Sequence, residues 1–176
     1  MKIIQITDLH IGMEDEETHG IDIKKNFDTI LEEVLKVHPD LIIISGDLCL
    51  MQGRRDTYEW IADRLKDVPY PIHFLSGNHD DAPMMAQVLG LEEFLHDREI
   101  YGKVYSAIGE ILLLDTSPAT MTGKQKDWLQ NELQKSTSPR LVFMHHPPAK
   151  AGLPFMDDNH AFKEMEELQQ LFAEAP

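Results

Sequence analysis

Apolar and polar positions fall in alternating blocks along the chain. Residues 2–7, Lys-Ile-Ile-Gln-Ile-Thr, form a short apolar run that stops at Asp8. From Ile23 the apolar residues recur at 23, 27, 30, 31, 34 and 35, the spacing of one helix face, and His-Pro-Asp at 38–40 ends it. Residues 41–45, Leu-Ile-Ile-Ile-Ser, are apolar on both faces, as in a strand buried within a parallel sheet. Asp56 with Glu59 resembles a capping box opening a helix that carries Trp60, Ile61 and Leu65. Residues 71–76 read as a third strand, and 88–95 as partly helical. Residues 103–116 read as two strands around a Gly109-Glu110 turn. Thr122 and Gln125 cap a helix bearing Trp128, Leu129 and Leu133, and residues 140–144 form another buried strand. From Asp158, Phe162, Met165, Leu168 and Phe172 share a helical face. The alternation predicts an α/β fold. No repeat or linker divides it, so residues 1–176 are expected to form one domain.

Composition narrows the function. The formal net charge is −15, which repels phosphate backbones and argues against a nucleic-acid polymer as partner. A small phosphate ester stays open, because bound metal ions reverse the local field. The single cysteine, Cys49, rules out a disulfide within the chain and suits a reducing compartment. Few apolar residues precede Asp8, too few for a signal-peptide core, and no run approaches transmembrane length. A cytoplasmic location with no membrane partner is expected.

Chemistry gathers where strands end. Asp8-Leu9-His10 follows the first strand, Gly46-Asp47 the second, Gly77-Asn78-His79-Asp80 the third, and His145-His146-Pro147-Pro148 the strand ending at Met144. Each has a plain alternative as a loop, a turn or a cap. Together they are more than four independent loops would give. If these strands share one sheet and one polarity, all four clusters converge on the rim where α/β sheets bind ligands. Carboxylate, imidazole and amide oxygen make a ligand set suited to Mn, Fe, Zn, Co or Ni. Asp8 and His10 sit at alternate positions, which places both on one side of an extended segment. They can grip one ion, Asn78 and His145 a second, and Asp47 can bridge both. Two ions about 3.5–4 Å apart can activate a water and clamp a phosphate during in-line attack. His79, beside Asn78, is placed to protonate or hydrogen-bond the leaving oxygen.

Read together, these motifs resemble the calcineurin-like metallophosphoesterases, whose signature runs D-x-H, G-D, G-N-H-[DE], H and G-H-x-H. The first four stand here in order, across residues 8–148. Within that superfamily, "IIQITDLH", "SGD", "LSGNHD", "ILLLDT", "QKDWLQNEL" and "VFMHHPP" are similar to the class III cyclic-nucleotide phosphodiesterases of bacteria. The resemblance implies a four-layer αββα sandwich and two divalent or trivalent transition-metal ions (Mn, Fe or Zn). It implies metal roles for Asp8, His10, Asp47, Asn78 and His145, and a catalytic role for His79. The implied activity is hydrolysis of a small-molecule phosphodiester, with a 3',5'-cyclic nucleotide among the candidates. A phosphomonoesterase with the same site, and a chain with little or no activity, are the alternatives.

The family's G-H-x-H is absent, since the only histidine after His146 is His160. The expectation is therefore a domain without its last strands, with one histidine fewer per ion and weakened metal affinity. An exposed apolar sheet edge would then favour a homodimer or a domain-swapped oligomer. His73 reads as a structural histidine. His19, His38, His96 and His160 read as solvated, Cys49 as a packed thiol, residues 14–17 as a solvated acidic loop, and Met84-Met85 as core.

Overall fold

The structure, a computed structural model, describes residues 1–135 and 140–175. Three parallel strands build the first sheet: β1 (Ile3–Ile6), β2 (Leu41–Ser45) and β3 (Ile72–Leu75), in the order β1-β2-β3. The crossovers are α1 (Ile23–Val37) and α2 (Arg55–Leu65), and α3 (Ala82–Leu89) follows β3. A two-stranded ribbon, β4 (Leu95–His96) with β5 (Glu99–Ile100), leads into the second sheet. There β6 (Gly102–Ser106) and β7 (Gly109–Leu114) pair antiparallel, and β8 (Leu141–Met144) lies parallel to β7. Between β7 and β8 runs α4 (Gly123–Gln134); α5 (Pro154–Asn159) and α6 (Met165–Ala173) close the described chain.

The period-2 alternation of the two central strands explains the layering. Ile42 and Ile44 of β2 turn toward a core with Phe27, Leu31, Tyr58, Ile61 and Met85 of the helices. Leu41 and Ile43 turn the other way and meet Val104, Ile111 and Leu113 of the second sheet. Leu112 and Leu114 of β7 then face Leu129, Leu133 and Leu168. The order is helices, sheet, sheet, helices. A strand that reads as apolar on both faces is one with a helical layer on one side and a sheet on the other.

The structure corrects several sequence expectations. The four chemistry-bearing strands do not share one sheet: β8 pairs with β7, so the site spans both sheets. At α2 the N-cap is Arg54 without a side-chain cap, and Asp56 lies in the first turn, where it pairs with Arg54. The second hairpin turns at Ala107-Ile108, with Gly109 opening β7. Thr122 does cap α4, accepting from the Gln125 backbone N–H at 3.3 Å, but the Gln125 side chain turns inward to Asp115 and Glu99 instead of completing the box. The tail is two short helices rather than one; Phe162 lies between them and is still buried. The acidic loop at 14–17 is not simply solvated, because Arg54 holds Asp15 at 2.9 Å and Glu16 is largely covered. His73 is half-buried against Phe94 and Cys49 is fully buried, while His19, His38, His96 and His160 are exposed.

Candidate metal centre

The loops leaving β1, β2, β3 and β8 meet at one end of the two sheets. Pairing between the first two loops continues past the strands: Asp8 N–H donates to Gly46 O at 3.1 Å, His10 N–H to Asp47 O at 2.9 Å and Ile11 N–H to Leu48 O at 2.9 Å. The segment is not extended, as alternate placement of Asp8 and His10 assumed. Asp8, His10 and Asp47 all lie in the left-handed region, with φ of 55°, 44° and 52°. Non-glycine residues there carry strain, and such residues cluster at functional sites. The coiled segment still brings His10 Nε2 to 3.8 Å from Asp8 Oδ1.

Two glycines let the loops approach so closely. A Cβ on Gly77 would stand 2.2 Å from Asp47 Oδ1, and one on Gly46 would stand 2.6 Å from His145 Nδ1. Any side chain at either position would push a site residue aside.

Asp47 Oδ2 is the centre of the arrangement. It lies 3.5 Å from His145 Nε2, 3.7 Å from His10 Nε2 and 3.9 Å from His79 Nε2. Its partner oxygen, Oδ1, accepts the His79 backbone N–H at 2.9 Å. His145 Nδ1 lies 2.9 Å from the Ser45 carbonyl, which can only accept, so Nδ1 carries the proton and Nε2 is directed into the site. Asn78 Oδ1 stands 3.3 Å from that same Nε2. His79 stacks edge-on against His10, with ring centroids 4.9 Å apart, and its buried Nδ1 has no hydrogen-bond partner among the described residues.

The charges reinforce one another. Contact with His10 and Thr7 outweighs partial burial and holds the Asp8 carboxyl down at about 2. Burial opposes charge on Asp47, but His145 and the His79 N–H prevail and keep it below the ordinary carboxylate range. His10 is raised chiefly by Asp8, and His145 is raised by Asp47 and the Ser45 carbonyl despite its burial. The adjacent His146 behaves oppositely: burial, then the nearby His145, pushes it down to about 4.

The donor atoms of His10, Asp47 and His79 lie within 4.8 Å of one another, as do those of Asp8, Asp47 and His145. Ligands of one ion bound at about 2.0–2.2 Å sit about 3 Å apart, so modest closure completes either set. Mixed nitrogen and oxygen donors around a shared carboxylate fit transition-metal ions. This grouping differs from the one read in sequence, which paired Asp8 with His10 and kept His79 out of the ligand sets.

The sequence motif includes Asp80 but assigns it no role; its carboxylate accepts from Gly77 N–H at 3.0 Å, Leu48 N–H at 3.1 Å, Cys49 N–H at 3.2 Å and Tyr58 Oη–H at 3.2 Å. It ties the Asn78 loop to the Asp47 loop. Asp115, straight after buried β7, was also given no role. The signal that picks out the other residues, a carboxylate at a strand end, would have found it.

Comparison with known proteins identifies the family. The family model for calcineurin-like phosphoesterases matches residues 1–172, and the chain belongs to that family. A probable cyclic nucleotide phosphodiesterase of Fibrobacter succinogenes is 35% identical over 169 residues, covering 96% of this chain and 66% of the relative. A second, from a Synechococcus species, is 30% identical, covering 89% of this chain and 62% of the relative. The chain thus spans under two thirds of the length of these relatives. A crystal structure of a dimetal phosphatase from Danio rerio superposes with a TM-score of 0.71 at 14% identity, over 97% of this chain and 76% of that one. At that identity the likeness concerns the fold. Among the described residues, no helix is long and apolar enough to cross a membrane.

Proposed function

We propose that the chain acts as a dinuclear metal-dependent phosphodiesterase on a small diester, with a 3',5'-cyclic nucleotide as first candidate substrate. The observation that carries this is Asp47 Oδ2, one carboxylate oxygen with His145, His10 and His79 all between 3.5 and 3.9 Å away. Two similar relatives named as probable cyclic nucleotide phosphodiesterases support the substrate class. Asp8, His10 and Asp47 would hold one ion, and Asp47, Asn78 and His145 the other. The 3.8 Å from Asp8 Oδ1 to His10 Nε2 and the 3.3 Å from Asn78 Oδ1 to His145 Nε2 support this pairing over the grouping that includes His79. When bound, such ions supply Lewis acidity, which makes a water nucleophilic near neutral pH and neutralises charge on phosphate oxygens.

The chain's own groups do the rest. The hydrogen bond from His145 Nδ1–H to Ser45 O fixes the ring so that Nε2 is the donor presented. His79 is held by its backbone N–H on Asp47 Oδ1 and is 28% exposed, open enough to meet a substrate and donate a proton to the leaving oxygen. Gly46 and Gly77 keep the floor free of side chains.

The test is hydrolysis of bis(4-nitrophenyl) phosphate, 4-nitrophenyl phosphate and 3',5'-cyclic AMP with Mn²⁺ or EDTA, alongside metal analysis. Expected is Mn²⁺-dependent diester cleavage that EDTA abolishes. Faster cleavage of the monoester would favour the phosphatase reading, which the Danio rerio neighbour motivates. Two ions bound with no cleavage of any ester would sink both.

A further inference from the structure

The ligands proposed above come from both sheets: Asn78 follows β3 of the first, and His145 follows β8 of the second. The two sheets meet through aliphatic side chains such as Ile43, Leu75, Ile111 and Leu113. Burial of that kind is non-directional and tolerates small sliding. A metal centre does not, since ligand distances must hold to about 0.2 Å. Something directional has to fix the offset between the sheets.

The end of β7 carries such a device. Ser76, Asp115 and Thr116 are fully buried and His146 nearly so. Ser76 Oγ–H donates to Asp115 Oδ2 at 2.5 Å, and the same oxygen accepts the Ile100 N–H at 2.7 Å. Thr116 Oγ1 accepts the His146 N–H at 3.0 Å and lies 3.2 Å from His146 Nδ1. Ser76 stands two residues before Asn78, and His146 one residue after His145. Two consecutive residues of one strand end therefore grip the roots of both ligand-bearing loops, one from each sheet. Buried polar bonds of this kind fix a unique geometry, because every misplaced partner is left unsatisfied.

We propose that Asp115 and Thr116 are positioning residues that set the gap between Asn78 and His145, and so the affinity for one of the two ions. This rests on the dinuclear reading above. The experiment is Mn²⁺ uptake by the full chain, wild type and variants, measured by metal analysis and by electron paramagnetic resonance of exchange-coupled Mn²⁺ pairs. Ser76→Ala and Thr116→Val are expected to weaken one of two ions roughly 10- to 100-fold, the usual effect of losing an outer partner of a metal ligand. The paired signal is lost at limiting Mn²⁺, and excess Mn²⁺ restores it. Thr116→Ser keeps the hydroxyl and retains wild-type uptake. Leu133→Ala, in the distant core of the second sheet, lowers the melting temperature and leaves both ions bound. Melting temperatures that fall in Ser76→Ala and Thr116→Val while both ions bind at wild-type affinity would overturn the proposal, as would equal loss in Thr116→Ser. If Ser76→Ala does not fold, the near-isosteric Thr116 pair decides alone. A wild type that takes up no Mn²⁺ defeats the dinuclear reading itself, whereas normal wild-type uptake with unaffected variants defeats only the positioning role.

Discussion

The two sheets contribute unequally. The first has parallel strands throughout, so every strand ends at the same rim, and Asp8, His10, Asp47, Asn78 and His79 all come from it. The second has one antiparallel pair; β7 and β8 both run toward the rim, but only β8 supplies a proposed ligand, His145. Their packing differs as well. All five residues of β2 are buried, whereas β8 is partly exposed along its length, with Leu141 39% exposed. Parallel topology collects chemistry because it repeats one polarity. A sheet with mixed polarity delivers a ligand only where one strand happens to point at the site, and that ligand then depends on how the sheets are held together.

Asp47→Ala offers the largest effect, because Asp47 is the point where the two regions meet. Losing the shared carboxylate should remove several kcal/mol of transition-state stabilisation, roughly 10³-fold or more in kcat/KM. Metal analysis should show the ions lost with it. Retention of both ions and near-normal diester cleavage would show that each ion is held without the shared carboxylate. His79→Gln should lower kcat by about 10²–10⁴-fold while both ions stay bound, as removal of a proton donor does. If the His79 variant loses an ion instead, the grouping of His79 with His10 and Asp47 describes a ligand set.

Stability should follow the same asymmetry. Ile43 is fully buried between the sheets, so Ile43→Ala is expected to cost about 2–5 kcal/mol in urea unfolding. Leu141→Ala, at the exposed start of β8, should stay within about 1 kcal/mol. Similar losses at both positions would mean that the β8 edge is covered in solution by something beyond the described residues.

How much of this the sequence showed depends on the range of the signal. The strands at 41–45 and 72–75 and the helix from Ile23 were legible because periodicity is local. The site residues could be proposed because a polar cluster after an apolar run is local too. Pairing is not: nothing in "RLVFM" says that it joins β7 rather than β3, so the residues alone left one shared sheet open, and it was the resemblance that implied the two-sheet sandwich the structure has. The left-handed backbone at Asp8, His10 and Asp47 was equally hidden, since it follows from pairing between loops distant in sequence. Asp80 and Asp115 stood in the quoted motifs, but their roles were hidden, since their partners are mainly backbone N–H groups and hydroxyls that leave no spacing pattern to read.

The smallest expected effect separates two adjacent residues of the second sheet, in the metal-stripped protein. His10 and His145 have folded pKa values raised above the ordinary 6.5, so the stability they add is fully present below 6.5 and is lost as pH rises through the raised values. His146 is depressed to about 4. Between 6.5 and about 4 the unfolded chain takes up a proton there that the folded chain refuses, so stability falls as pH drops. His73, also lowered by burial, acts in the same direction. Together they predict a melting-temperature maximum near pH 6.5 in EDTA. Mn²⁺ requires neutral histidines and competes with protons, so it should flatten the alkaline limb, which belongs to His10 and His145, and steepen the acid limb of His146 and His73, because protonation of His10 and His145 there releases the metal. Melting curves across pH 4.5–8.5 with EDTA or Mn²⁺ check this. An alkaline limb that persists unchanged in saturating Mn²⁺ would mean that His10 and His145 do not meet the metal.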